Sequence, residues 1–138
     1  MANVLYPLFK QGLLAAAANL SAGTVRAQLV DTGAYTFAVG HEFLSSLPSV
    51  ARIGAAVTLT GKTIAGGVFD AADIVFTSVP AGTGTAAGVE ALVLYLDTGA
   101  EGTSRLIAYI DAAVGLPFAP NGGDRPVAWD AAGIFAIL

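Results

Sequence analysis

Two segments of this chain place Asp-Thr-Gly after a pair of apolar residues: Leu29–Val30–Asp31–Thr32–Gly33 and Tyr95–Leu96–Asp97–Thr98–Gly99. In aspartic proteases this pattern supplies one of two carboxylates that share a single proton, because two like charges at close range cannot both ionise. Here the copies lie 66 residues apart in one short chain, too close for two protease lobes. The same tripeptide is good turn chemistry after a strand, since aspartate bonds the backbone two residues on and glycine accepts unusual dihedrals. Two turns are therefore expected, and an Asp-Thr-Gly protease is the third reading of the function.

Other segments carry fragments of familiar chemistry. Ala56–Val57–Thr58–Leu59–Thr60–Gly61–Lys62–Thr63 meets a permissive phosphate-loop pattern with alanine in place of the first glycine. Such a loop needs pliable backbone that curls its amides around the anion, then a helix. Residues 57–60 are mostly β-branched and stiff, and Ile64–Ala65–Gly66–Gly67 is a poor helix start, so Gly61–Lys62 is expected to be a tight hairpin turn. Gly82–Thr83–Gly84–Thr85–Ala86–Ala87–Gly88 loosely resembles a dinucleotide loop, but its last spacing is one residue too long and a strand follows it. His41–Glu42 opens like a zinc-protease helix, yet His41 is the sole histidine. Asp70, Asp73 and Asp124 could contact calcium, at spacings that match no EF-hand loop. The expectation is no catalytic residue, no cofactor and no metal.

The elements that would position these residues follow from periodicity. Residues 7–19 read as a helix: Pro7 suits the first turn, the alanine run has high propensity, and Phe9, Leu13 and Ala16/Ala17 share a face. Lys10 followed by the apolar run 12–18 mimics a secretion signal, but the run is short and a single basic residue precedes it, so the helix is expected to stay with the chain. Short runs between Gly, Asp and Thr then read as strands at 24–30, 51–60, 63–69, 73–79, 89–97, 105–111, 126–129 and 134–138. A helical turn is expected at 41–47, ended by Pro48. Residues 97–104 read as the bend of a hairpin, and 80–88 and 117–124 as loops. The fold expected is mainly β: an antiparallel β-sandwich or barrel of about eight strands with one N-terminal helix. Residues 1–138 form a single domain in this reading, with a helical segment at 1–23 and a β domain at 24–138.

Composition narrows the function classes. The 138 residues are 55% hydrophobic and only 12% charged, and 28 are alanine. Six basic residues scattered singly against ten acidic ones exclude a basic stripe for nucleic acid or an anionic membrane. No apolar run reaches the roughly 18–20 residues of a spanning helix. The absence of cysteine removes disulfide and zinc–thiolate chemistry, as fits a chain made in the cytoplasm. The strands at 89–97 and 105–111 lack the alternation of a sheet with one wet face; Leu92, Leu94 and Leu96 oppose Val93 and Tyr95, and Leu106, Ala108 and Ile110 oppose Ile107 and Tyr109. They require cover on both sides, from the N-terminal helix or from another subunit. Phe9, Leu13, Leu92, Leu94, Leu96, Ile107 and Tyr109 are accordingly the candidate interface.

The segments LVDTGAYTF, HEFLSSLPSVARI, LTGKTIAGGVFDAADIVFTSV, EALVLYLDTG, TSRLIAYID, GLP and PNGGD, followed by Trp129, together resemble a family of small tailed-bacteriophage virion proteins. The resemblance covers about residues 24–138, while the N-terminal segment is richer in alanine and poorer in charge than the family pattern. It implies a non-enzymatic structural protein of the virion, made in the host cytoplasm. Its partners would be further copies of itself and other virion proteins such as the major capsid protein. The first expectation is a capsid decoration or cement protein that stabilises the head by subunit packing. The alternative is a tail or fibre component, including a host-receptor adhesin. The loops at 80–88 and 117–124, with Phe118 their single aromatic, favour the head.

Overall fold

In the computed structural model the described residues are 3–80 and 88–137. The glycine-rich stretch read as loosely dinucleotide-like, from Gly82 to Ala87, lies outside them.

The chain opens with a short strand, β1 (Val4–Leu5), and the helix α1 (Pro7–Leu14), with proline at its start and Phe9 and Gly12 buried. The helix stops well short of the expected residue 19. Ala16 turns left-handed at φ 57, and the amides of Ala16 and Ala17 return to the carbonyls of Leu13 (3.2 Å) and Gly12 (2.8 Å), a Schellman closure with alanine where glycine is usual. Leu14 and the alanines at 15–17 are exposed. Intrinsic propensity does not extend a helix past its last buried contact, because packing supplies most helical stability.

The main sheet has the order β1-β8-β7-β2-β3 and is antiparallel throughout, from β2 (Thr24–Val30), β3 (Arg52–Thr58), β7 (Ala91–Asp97) and β8 (Arg105–Ile110) with β1. Two smaller antiparallel sheets complete the fold. One has the order β10-β5-β4, from β4 (Thr63–Ala65), β5 (Val68–Asp70) and β10 (Phe135–Ala136); the other pairs β6 (Ile74–Phe76) with β9 (Arg125–Val127). Two 3₁₀ turns, Leu44–Ser46 and Ser49–Ala51, precede β3.

The mainly β, antiparallel fold with one N-terminal helix is thus realised, with ten strands among the described residues, whose sheets do not close into a barrel. Two differences account for the extra strands. β1 carries too few residues to show a period. The run 63–69 is not one strand but the hairpin β4–β5, because Gly66 and Gly67 both take positive φ, 59 and 79, as a two-residue type I′ turn requires. Gly61–Lys62 consequently joins no hairpin: β3 pairs with β2 and β4 with β5, so that turn carries the chain from one sheet to another.

The paired strands β7 and β8 are buried on both faces, as their unbroken apolar runs require, and the cover comes from within the chain. α1 packs against β8, and Phe69, Phe76 and Val127 of the smaller sheets join the same core cluster as Leu92, Leu94, Leu106 and Ile107. Between β2 and β3 the register slips at Ala27/Leu29. There the Gln28 amide, 6% exposed, donates to the carbonyls of Ile53 (3.2 Å) and Gly54 (3.1 Å), so the buried amide is satisfied where the register slips.

Candidate functional site

The two Asp-Thr-Gly segments fold as turns. Asp31 Oδ1 accepts from the Gly33 amide at 2.8 Å, and Asp97 Oδ1 from the Gly99 amide at 2.9 Å. Thr32 adds its amide (3.1 Å) and hydroxyl (2.8 Å) to Glu90 Oε1, which ties the first turn to the entry of β7. Asp97 faces Thr24 across the ladder, whereas Asp31 follows the other end of β2. About seven residues of strand at roughly 3.3 Å each separate the two carboxylates, far beyond any shared proton, so one chain forms no aspartate dyad. Because an asparagine oxygen accepts the same bond, Asp31→Asn and Asp97→Asn should each change stability by less than about 1 kcal/mol; a urea-denaturation midpoint displaced by several times that would overturn the turn assignment.

Most of the remaining motif residues hold backbone. Lys62, at the phosphate-loop-like segment, donates Nζ to the carbonyls of Leu20 (2.7 Å) and Gly23, and β4 rather than a helix follows it. Glu42 Oε1 meets Arg105 at 3.0 Å. Asp70 accepts from the Ala71 amide, Asp73 from the Trp129 amide and Asp124 from the Ser78 amide, all between 2.8 and 2.9 Å. Among the described residues no three His, Cys, Asp or Glu side chains group as metal ligands, and no helix is long and apolar enough to cross a membrane.

The candidate interface residues divide in two. Phe9, Leu92, Leu94, Ile107 and Tyr109 are buried in the chain's own core, with exposures of 0–7%, and offer no surface to a partner. Leu13 and Leu96 are half-buried. Leu96 fills the space above Gly23, where a Cβ would stand 2.4 Å from its Cδ1.

Leu13 instead leads to a site that the sequence reading did not assemble. An open groove of about 410 Å³ runs between the end of α1 and the three-stranded sheet, lined among others by Leu13, Leu20, Ile64, Phe69, Phe135 and Ile137. Its floor is aromatic: Phe69 and Phe135 stack at 5.2 Å, and Phe9 meets Phe135 edge-on at 6.1 Å. Ile64 and Ile137 remain 54% and 46% exposed on its walls, and Leu14 beside it is 92% exposed. β4 forms one rim; all three of its residues are exposed, and among the described residues only one of its edges is paired. Asn19 Oδ1 accepts from the amides of Ser21 and Ala22, and Lys62 grips the same connector, so this wall is held in place. The groove draws on residues from 13 to 137, and no local period could have joined them.

A second cluster is polar and buried. The Tyr6 hydroxyl meets that of Tyr35 at 2.8 Å, and Tyr35 meets His41 Nδ1 at 2.8 Å. Burial pushes the Tyr6 hydroxyl far above the usual phenol range, with its bond to Tyr35 the next cause. Burial likewise raises Tyr35, against a smaller lowering by Tyr6. Both phenols stay protonated.

No family model matches the sequence, and neither does any curated protein.

Proposed function

We propose that this chain is a non-enzymatic structural protein of a tailed-bacteriophage virion, a decoration or cement subunit that stabilises the head through contacts with its own copies and with the shell protein. The observation that carries the reading is the apolar groove beside an open strand edge, in a chain with few charges to keep neighbours apart. Exposed contiguous apolar surface marks an interaction site, and an unpaired edge offers backbone donors and acceptors to a second chain. The carboxylates with chemical potential are engaged in turns and ion pairs, which fits a scaffold better than a reaction. The resemblance over residues 24–138 supplies the kind of particle.

The test pairs sedimentation of the purified chain with localisation on particles. The reading expects self-association, or binding to heads, that Ile64→Glu together with Ile137→Glu weakens at least tenfold, since each substitution withdraws about 1.5 kcal/mol or more of apolar burial. The variant should keep its circular-dichroism spectrum, as both side chains are surface groups. A chain that stays monomeric at every concentration and labels no particle overturns the proposal, and labelling confined to tails moves it to the fibre reading.

A further inference from the structure

We infer that Asn121–Gly122 is a self-modifying site, where the chain converts its own asparagine to aspartate and isoaspartate at a pace set by a backbone clasp on Val79. None of these residues lines the apolar groove, and the site is independent of the virion reading.

The neighbours of each asparagine single out this pair. Asparagine loses ammonia when the next residue's amide nitrogen attacks its side-chain carbonyl carbon, an approach that a side chain on that next residue hinders and glycine leaves open. Asn3 and Asn19 are followed by Val4 and Leu20; Asn121 alone is followed by glycine, and no aspartate is. Residues 121–124 are exposed, and nothing lies within 4 Å of where a Gly122 Cβ would stand. Asn121 Oδ1 accepts from the Gly123 amide at 3.0 Å. That oxygen gains charge as the ring closes, so a donor is in place for it.

In the first step the Gly122 nitrogen bonds to Asn121 Cγ and gives up its proton, while the Cγ–Nδ2 bond breaks and Nδ2 leaves as ammonia. Solvent water then opens the cyclic imide. Cleavage at Cγ leaves aspartate; cleavage at the main-chain carbonyl leaves isoaspartate, with the backbone routed through the former side chain.

The fold restrains the first step. The Gly122 amide donates to the Val79 carbonyl at 2.7 Å, so the attacking nitrogen is held by its proton, and the Val79 amide donates to the Gly123 carbonyl at 3.0 Å. Beside them the Ser78 amide donates to Asp124 Oδ1 at 2.8 Å. Val79 is 1% exposed, which anchors the clasp in the core. Ring closure therefore waits for the loop to lift from Val79, a local opening rather than global unfolding. Isoaspartate lengthens the backbone between Phe118, bonded both ways to Val89 (2.8 and 3.0 Å), and the clasp, so a modified loop fits its clasp less well.

Residue-resolved mass spectrometry of the full chain, at one mildly alkaline pH with and without urea, tests the site and the clasp. In urea Asn121 should convert first of the three asparagines. In the folded protein it should convert at least about tenfold more slowly. Asp124→Ala removes the Ser78 tie at an exposed residue, and should speed conversion several-fold in the folded protein and far less in urea. The product should include isoaspartate, the mark of the ring. Equal folded and unfolded rates, Asn3 or Asn19 converting first in urea, or aspartate without isoaspartate would each overturn the inference. So would a folded rate that Asp124→Ala moves no more than the rate in urea. Should Asp124→Ala fail to fold, the two rates of the unsubstituted protein decide.

Discussion

Leu94→Asp is expected to leave no folded protein. Leu94 is fully buried at the centre of β7, and its ladder partners are Ala27 on β2 and Ala108 on β8. One large side chain is thus flanked by two small ones, and Leu94 fills space that neither neighbour can reach. Removing it would by itself cost about 2–5 kcal/mol through lost burial and an unfilled cavity. Aspartate adds a carboxylate at a fully buried position, and the two costs together rival the roughly 5–15 kcal/mol of a whole domain. Leu94→Met, which conserves volume, should cost less than about 1.5 kcal/mol. Soluble yield and a denaturation midpoint distinguish the two. A soluble Leu94→Asp protein with an unchanged midpoint would show that the two-sided burial of β7 is wrong.

The second large effect is expected at Arg52, the first residue of β3. Its guanidinium donates through Nε (3.0 Å) and Nη2 (2.6 Å) to the Leu47 carbonyl and through Nη2 (3.0 Å) to that of Leu44, while Nη1 pairs with Glu101. One side chain therefore closes the first 3₁₀ turn, Leu44–Ser46 with its cap Leu47, onto the sheet, where Leu44 and Leu47 are buried. Arg52→Ala strips charged donors from two part-buried carbonyls, for an expected loss of about 2–4 kcal/mol. Arg52→Lys should recover only part of it, because an ammonium cannot reproduce the planar fork. Glu101 sits outside this core of bonds. The bond to Arg52, and then its charge, hold the Glu101 carboxyl below the usual glutamate range. Its contribution is therefore present above that range and lost as pH falls through it. Glu101→Gln should flatten the acid limb of the stability profile by removing the small contribution that this exposed pair makes at neutral pH, leaving acid stability unchanged. Urea midpoints of the three variants check the ranking, and an Arg52→Ala midpoint equal to that of Glu101→Gln would refute it.

Much of the architecture was legible from local chemistry. β2 occupies the predicted 24–30, and the hairpin of β7 and β8 turns where Asp97, Thr98 and Gly99 announce it. The tight pair Gly66–Gly67 was passed over in favour of Gly61–Lys62, because both pairs contain a glycine at positive φ and residue type does not say which flanking strands pair. The helix was drawn too long because propensity is local whereas the burial that ends α1 is not.

The sites were less legible. Leu92, Leu94 and Ile107 were correctly read as needing cover on both faces, but a sequence does not say whether that cover belongs to the same chain. The fold supplies it from α1 and the smaller sheets, and the apolar surface left over is a different set, which includes Ile64 and Ile137 at the groove. Nor could residues 6, 35 and 41 announce their hydrogen-bonded cluster, since it exists only where the N-terminal segment and the loop after β2 converge.

By itself, then, the order of residues determined the class of fold, the turns that its aspartates make and the shortage of charged surface, because these depend on neighbours within a few bonds. Which apolar residues are hidden and which stay open was decided by the tertiary structure alone. Burial is a property of everything that packs around a side chain, and here those partners come from distant parts of the chain.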